Sequence, residues 1–350
     1  MKALQITAPG QLSFVTLDPV PLQTGEVRIA VAAAGLCGSD LKNIKNPVIA
    51  PQTAGHEFSG VVLEVGESMK NVLYPGDRVT AFPMVSCMDC EYCLNGEFRD
   101  CDNKRSLGFQ LPGAFAEEVT IDGRFVIPLK EGISYEQGAL VEPLAVGYRL
   151  AKEMVDSLVP VNSHILLIGD GPIALSNIQS LCLFNYTNIT VVGKHDNRLQ
   201  LAKELGAFRV FNQEAIAEVI EKRELATINA CVFGAPADET FEQLLPFLKD
   251  GGIVFPQTRI KSQQAINYMQ SHNIKLGRAF AYKFSDFSTV MDLILKKKIK
   301  TDLLVSTRVE LSEFADKFPN FQKSENASKI MILNKRVDEI VKKYKPIIYE

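Results

Sequence analysis

The sequence predicts an α/β protein of two domains, a β-barrel-like body in the first 150 residues followed by a doubly wound parallel sheet. Three observations lead there. The 350 residues exceed what one ordinary core accommodates. The first 150 residues are rich in Gly, Pro and short β-branched runs. Near residue 160 the pattern changes to strands alternating with helical stretches, the signature of a parallel sheet.

The early elements read as short strands. Residues 26–32, Glu-Val-Arg-Ile-Ala-Val-Ala, alternate as a half-buried strand does. Residues 59–66 and 77–81 read the same way, and Pro75-Gly76-Asp77 is a turn signal between them. The later elements alternate. Residues 164–169 carry a continuous apolar run, as expected for a strand buried on both faces. A helix is predicted over 172–184, a strand over 189–192 and a helix over 196–205, where Leu199, Ala202 and Leu205 recur at three-residue spacing. A strand at 209–211, a helix at 213–224, a strand at 228–233, a helix at 238–248 and a strand at 252–255 continue the series. A helix over 284–298 and a strand over 329–333 close the chain, and the basic run 296–300 suits a solvated helix C-terminus.

Composition excludes several classes. Hydrophobic residues make up 46% and charged residues 23%, which is globular and neither disordered nor coiled-coil. A net charge of −3 lacks the basic field of a nucleic-acid-binding protein. No apolar run reaches the roughly 18 residues of a membrane span. The opening residues lack the apolar core of a signal peptide, so a cytoplasmic location is expected.

Four of the seven cysteines fall within fifteen residues, as Cys87-x2-Cys90-x2-Cys93-x7-Cys101. An odd total fits a paired disulfide framework poorly, and a tight cluster reads better as a metal site. Four thiolates in one loop, about 84–103, can wrap a tetrahedral ion at about 2.3 Å each, leaving no open position, so the site would be structural. An iron–sulfur cluster of the bacterial ferredoxin type would have three residues before its last cysteine and a proline after it. Here the gap is seven and Asp102 follows, which favours zinc.

Three further stretches carry metal-ligand chemistry: Gly35-Leu-Cys37-Gly-Ser39-Asp40, Gly55-His56-Glu57-Phe58 and Val141-Glu142-Pro143-Leu-Ala-Val146. With the cysteine lobe, Gly113-Ala-Phe-Ala-Glu117 and a glycine-rich turn at Gly169, they follow one another in a fixed order. In this the chain resembles the zinc-containing medium-chain dehydrogenases of the polyol branch, among them sorbitol, threonine and galactitol-phosphate dehydrogenases. The similarity runs from about residue 1 to 334.

The resemblance implies a GroES-like catalytic domain over 1–150 and 283–350, with a Rossmann domain inserted at 151–282. It implies two zinc ions per chain, one catalytic and one structural, the latter on Cys87, Cys90, Cys93 and Cys101. Cys37 and His56 would bind the catalytic ion, with Glu57 and Glu142 as the acidic candidates for what remains and Ser39 passing the alcohol proton outward. Ser39 would also suit the cap of a helix start. The implied reaction is hydride transfer between a small secondary alcohol, a polyol, sugar alcohol or its phosphate, and a nicotinamide nucleotide. A homo-oligomer, dimer or tetramer, is implied as well. One departure is Lys42, which stands where many members carry a relay histidine. The alternative is a catalytically diverged, nucleotide-binding regulatory protein on the same scaffold.

The turn Gly169-Asp170-Gly171-Pro172-Ile173-Ala174 follows a predicted strand and opens a predicted helix, the context a dinucleotide fingerprint requires. The glycines let backbone N–H groups approach a pyrophosphate at the helix N-terminus. Asp170 is expected to point away, since a carboxylate repels that group. NAD enzymes place an acid about 20 residues on, at the end of the second strand. Alignment puts Gly193 there, followed by Lys194-His195-Asp196-Asn197-Arg198. With the acid missing and Lys194 and Arg198 able to flank a 2′-phosphate, NADP is favoured over NAD. His164 is expected to begin a strand, His272 to lie on a surface helix, and Cys182 and Cys231 to be core thiols.

Overall fold

The computed structural model describes residues 1–18, 20–323 and 328–348. The chain forms two compact units. The first comprises Met1–Glu142, Lys283–Lys296 and Val305–Glu350, the second Pro143–Tyr282 and Lys297–Leu304. The division falls inside the helix Tyr135–Asp156 rather than at residue 150, and residues 297–304 join the second unit.

The first unit is built on antiparallel strands. Its central strand, Glu26–Gly35, pairs with Glu57–Val65, with Glu118–Asp122 and with Lys329–Leu333. The alternation in its sequence suggested a half-buried strand, but every residue after Glu26 is buried. The polar exception, Arg28, is reconciled by partners. Its guanidinium donates to Val20 O at 2.7 Å and to Glu64 at 3.2 Å, with Glu118 3.8 Å away. Smaller sheets join Lys2–Ala8 to Gln11–Thr16 and Gln52–Thr53, and Met84–Val85 to Arg105–Ser106.

The second unit carries one six-stranded sheet, parallel throughout. Numbered in chain order its strands lie 3-2-1-4-5-6, the order of the doubly wound dinucleotide-binding fold, with a switch point beside the first strand. That strand, Ile165–Ile168, is buried at every residue, which explains its uninterrupted apolar run. Leu166, Ile168, Cys231, Phe233 and Phe241 share one apolar core, with the Phe233 and Phe241 rings 4.8 Å apart.

Three helices are shorter than their sequence patterns suggest. Over 213–224 the chain makes a 3-10 turn at Gln213–Ala215, opened by the Asn212 side chain accepting from Glu214 N, and then the helix Ile216–Glu221. Over 238–248 the helix ends at Leu244, a 3-10 turn containing Pro246 follows, and Leu248 already belongs to a strand. Proline cannot donate the N–H that would continue the helix. The helix expected to reach 298 stops at Leu295, and Lys297 adopts a left-handed conformation. Among the described residues no helix is long and apolar enough to cross a membrane.

Cys231 is a core thiol, pushed up by burial, but Cys182 is only half-buried. His272 caps the C-terminus of the helix Gln263–Ser271. His164 lies buried just before the first strand of the parallel sheet. Its Nδ1 faces Thr227 O at 3.2 Å and its Nε2 faces Thr190 Oγ1 at 2.8 Å. A carbonyl only accepts, so Nδ1 donates and the neutral ring accepts at Nε2 from the threonine hydroxyl. Burial lowers the His164 pKa below 6.5. Below about pH 6.5 the unfolded imidazole therefore binds a proton that the folded one refuses, and stability falls as pH drops toward the folded pKa. His164→Gln is expected to flatten this part of the pH profile relative to the parent, read by urea denaturation between pH 5 and 7.5.

Candidate active site

The first site is assembled around Asp40, a fully buried carboxylate in the opening turn of the helix Gly38–Lys45. One oxygen accepts from the backbone N–H of Cys37 at 2.9 Å, closing the turn and fixing that residue at the helix N-cap. The other accepts from His56 Nδ1 at 3.0 Å. That contact assigns the ring: Nδ1 carries the proton and Nε2 is left to bind a ligand. Burial alone would lower the His56 pKa, but the Asp40 charge and hydrogen bond outweigh it and hold it well above 6.5. Ser39 is not the cap, because Cys37 occupies that position. Its hydroxyl instead sits 3.4 Å from His56 Nε2.

His56 follows Gly55, whose φ of +97° only glycine adopts comfortably. A side chain there would also run into the Phe115 ring. Phe115 belongs to the Gly113–Glu117 motif, whose N–H groups at Gly113, Ala114 and Phe115 donate to Thr53, Gly55 and Ala54 at 2.8 to 3.0 Å. That motif is a backbone clamp on the segment carrying His56.

Glu57 is fully buried, and both its oxygens contact the Lys329 ammonium, at 2.6 and 2.8 Å. Lys329 Nζ also donates to Leu36 O at 3.2 Å and is 1% exposed. Burial would lower the Lys329 pKa, but Glu57, Cys37 and Glu142 raise it, so the amine stays charged. Gly35 opposes Glu57 in the strand pair, and any side chain at Gly35 would overlap the Glu57 carboxylate. Cys37, His56 and Glu57 bring one ligand atom each to within 4.8 Å of one another. Glu142 lies outside that cluster, buried on the helix Tyr135–Asp156, where its charge is felt at Lys329. A thiol, an oriented imidazole and a carboxylate form a donor set that suits zinc with room for an exchangeable ligand.

Cys87, Cys90, Cys93 and Cys101 converge in the second candidate centre. The Cys87 sulfur lies 3.8 Å from that of Cys93 and 3.5 Å from that of Cys101. Bonds of about 2.3 Å in a tetrahedron put the sulfurs about 3.8 Å apart, whereas a disulfide needs about 2.05 Å. The geometry therefore fits a tetrahedral ion and not a cross-link. The backbone N–H of Cys87 points at Cys101 Sγ from 3.5 Å, as expected where a thiolate is to be stabilised.

In the second unit, Gly169 and Gly171 bracket Asp170 at the end of the first strand. Gly169 has a φ of +126°, Gly171 is the N-cap of the helix Pro172–Leu183, and Pro172 stands where no N–H is needed. Ile173 and Ala174 complete the first turn. Asp170 points away from that helix start: its carboxylate receives the N–H groups of Lys194 and His195, each at 2.7 Å. Gly193 is buried beside it, Lys194 is exposed and Arg198 is half-buried.

Comparison with known proteins agrees with this geometry. The model of the alcohol dehydrogenase GroES-like domain matches residues 23–131. An uncharacterised zinc-type alcohol dehydrogenase-like protein of Escherichia coli, YdjJ, is 30% identical over 291 residues, 79% of this chain and 82% of that one. The chain belongs to the zinc-type alcohol dehydrogenases. Galactitol 1-phosphate 5-dehydrogenase of Escherichia coli is 35% identical over 197 residues, a match spanning 55% of each chain. A solved Escherichia coli alcohol dehydrogenase complexed with NADH shares the fold at a TM-score of 0.84, with 24% identity, over 95% of this chain and 99% of that one.

Two residues of this site had no role in the sequence analysis. Asp40 stood inside a quoted motif without a role, although a carboxylate three residues after a candidate ligand at a helix start was a usable signal. Lys329 had no local signal, since it opens a strand 272 residues from Glu57. Removing one partner of a buried ion pair leaves an uncompensated charge. Lys329→Met is expected to cost about 3–5 kcal/mol in urea denaturation, and Lys329→Met with Glu57→Gln to recover much of that loss.

Proposed function

We propose that this dehydrogenase oxidises a secondary alcohol of the polyol class, free or phosphorylated, with NADP as hydride acceptor and two zinc ions per chain. The observation that carries the reading is the convergence of Cys37, His56 and Glu57, with the imidazole oriented by Asp40. Cys37 and His56 would hold the catalytic ion, with Glu57 and Glu142 as the carboxylates that exchange with water or substrate beside it. When bound, the zinc supplies Lewis acidity toward an alcohol oxygen and eases loss of its proton.

The remaining steps belong to the protein. Ser39, beside His56 Nε2, takes up the hydroxyl proton. Lys42 is exposed on the next turn of the same helix, so the proton leaves toward solvent without an imidazole relay. Lys329 holds Glu57 close to the ligand pair while neutralising its charge, so the site does not accumulate uncompensated negative charge. The Cys87, Cys90, Cys93 and Cys101 lobe would hold the structural ion. In the second unit, Gly169, Gly171, Pro172 and Ile173 would receive the pyrophosphate, and Gly193, Lys194 and Arg198 the adenosine end. The net reaction converts alcohol and oxidised nucleotide to ketone, reduced nucleotide and a proton. The same reading makes the chain a cytoplasmic homo-oligomer, dimer or tetramer, that engages neither nucleic acid nor a membrane.

Metal analysis of the purified chain is expected to find two zinc equivalents. His56→Ala should lose one of them together with turnover. Cys93→Ser should lose the other and lower the melting temperature. Asp40→Ala should weaken the catalytic ion about 10- to 100-fold. A reduction screen with both nicotinamides over polyols, polyol phosphates and 3-hydroxy amino acids identifies the substrate. No turnover on any secondary alcohol by the two-zinc protein would defeat the proposal.

A further inference from the structure

Two departures from the usual dinucleotide pattern, Asp170 in the first glycine-rich turn and Gly193 at the end of the second strand, turn out to be one feature. The first two strands of the parallel sheet run side by side, with Ile168 opposite Val192, so the residues just beyond them are neighbours. A Cβ built on Gly193 would lie 2.6 Å from Asp170 Cβ and 2.8 Å from its Oδ2, closer than such atoms approach. The two positions therefore cannot both carry side chains in this arrangement. The carboxylate that NAD enzymes mount on the second strand has no room here, because Asp170 fills its place from the first.

The Asp170 carboxylate is not left to face a ribose. It is 6% exposed. Oδ2 accepts from Lys194 N and His195 N at 2.7 Å and from His195 Nδ1 at 3.0 Å. Oδ1 lies 3.2 Å from His195 Nδ1 and 3.6 Å from the Arg198 guanidinium. Asn212, at the end of the third strand, holds the same turn from the other side, its amide donating to Lys194 O at 3.2 Å and to Asp196 at 2.8 Å. The turn from Lys194 to Arg198 is thus pinned from two strands. Lys194 and Arg198 stand against the Asp170 and Asp196 carboxylates, all beside the N-terminus of the helix Asp196–Glu204. With those charges balanced, the helix dipole favours an added anion there.

We infer that Asp170 is the cofactor-selecting residue. It excludes the ribose-binding acid by occupying its space, and it holds the Lys194–Arg198 turn in the form that receives the 2′-phosphate of NADP. This rests on the NADP reading proposed above and names the residue responsible. Asp170 acts through the turn, so it is a positioning residue for cofactor choice and takes no part in the chemistry.

The test uses the adenosine fragments that carry or lack the phosphate, 2′,5′-ADP and 5′-AMP, titrated calorimetrically into the full-length zinc-loaded protein. The parent is expected to prefer 2′,5′-ADP by about tenfold or more, the scale of one hydrogen bond between charged groups. Asp170→Ala should erase most of that preference by weakening 2′,5′-ADP while leaving 5′-AMP within a factor of about two. Asp170→Gly combined with Gly193→Asp moves the acid back to the second strand, with the Cβ that blocked it removed. It should invert the preference between the two fragments. The double variant also restores an acceptor at the turn, which keeps the test open should Asp170→Ala fold poorly. A parent that binds both fragments alike would defeat the NADP reading itself. A parent that prefers 2′,5′-ADP, with variants that keep that preference, would leave the NADP reading standing and overturn the role of Asp170.

Discussion

The buried ion pair between Lys329 and Glu57 is the constraint on which the first site depends. A carboxylate with no solvent exposure, next to a thiol and an imidazole, is costly to bury without a compensating charge. Lys329 supplies it, and the cost of burying both groups is met only because each finds further partners or room. The ammonium reaches Leu36 O, and the carboxylate occupies the space that Gly35 leaves empty. Strand pairing sets all of this. Gly35 and Glu57 oppose one another across two antiparallel strands, and Lys329 begins a third strand that pairs with the first.

The same economy appears around His56. Asp40 caps a helix and orients an imidazole with its two oxygens. Cys37 at the helix start and His56 after a left-handed glycine, both candidate ligands, are thereby tied to one rigid group. Metal sites need this kind of support, because a ring free to rotate offers the wrong nitrogen as often as the right one. Around the site, acidic and basic charges alternate: Asp40 faces His56, and Lys329 faces Glu57, with Glu142 contributing its field.

The departures from the family pattern do not read as decay of a catalyst. Asp170 and Gly193 fit one another in space, and the carboxylate that seemed ill placed beside a pyrophosphate is turned toward the next strand, where its charge is spent on four donor groups. Lys42 is exposed, so a lysine in place of the family's imidazole leaves no buried charge unpaired.

Much of this was legible in the chain. Continuous apolar runs separated by helical spacing announced the parallel sheet, because a strand covered on both faces has no polar side to display. The cysteine spacing announced a lobe in which four sulfurs converge, because residues within one loop are local to one another. Cys37 and His56 were visible through motifs that combine a candidate ligand with a glycine of fixed backbone need. What sequence could not decide were partnerships across long separations. Lys329 is an ordinary strand residue until the sheet brings it to Glu57, and Asp170 is an awkward residue until the neighbouring strand shows Gly193 empty beside it. Helix ends at Leu244 and Leu295, and the burial of the whole Glu26–Gly35 strand, were likewise settled by neighbours. Local chemistry is written in the order of residues, whereas charge compensation and steric exclusion depend on which distant backbones the fold sets side by side.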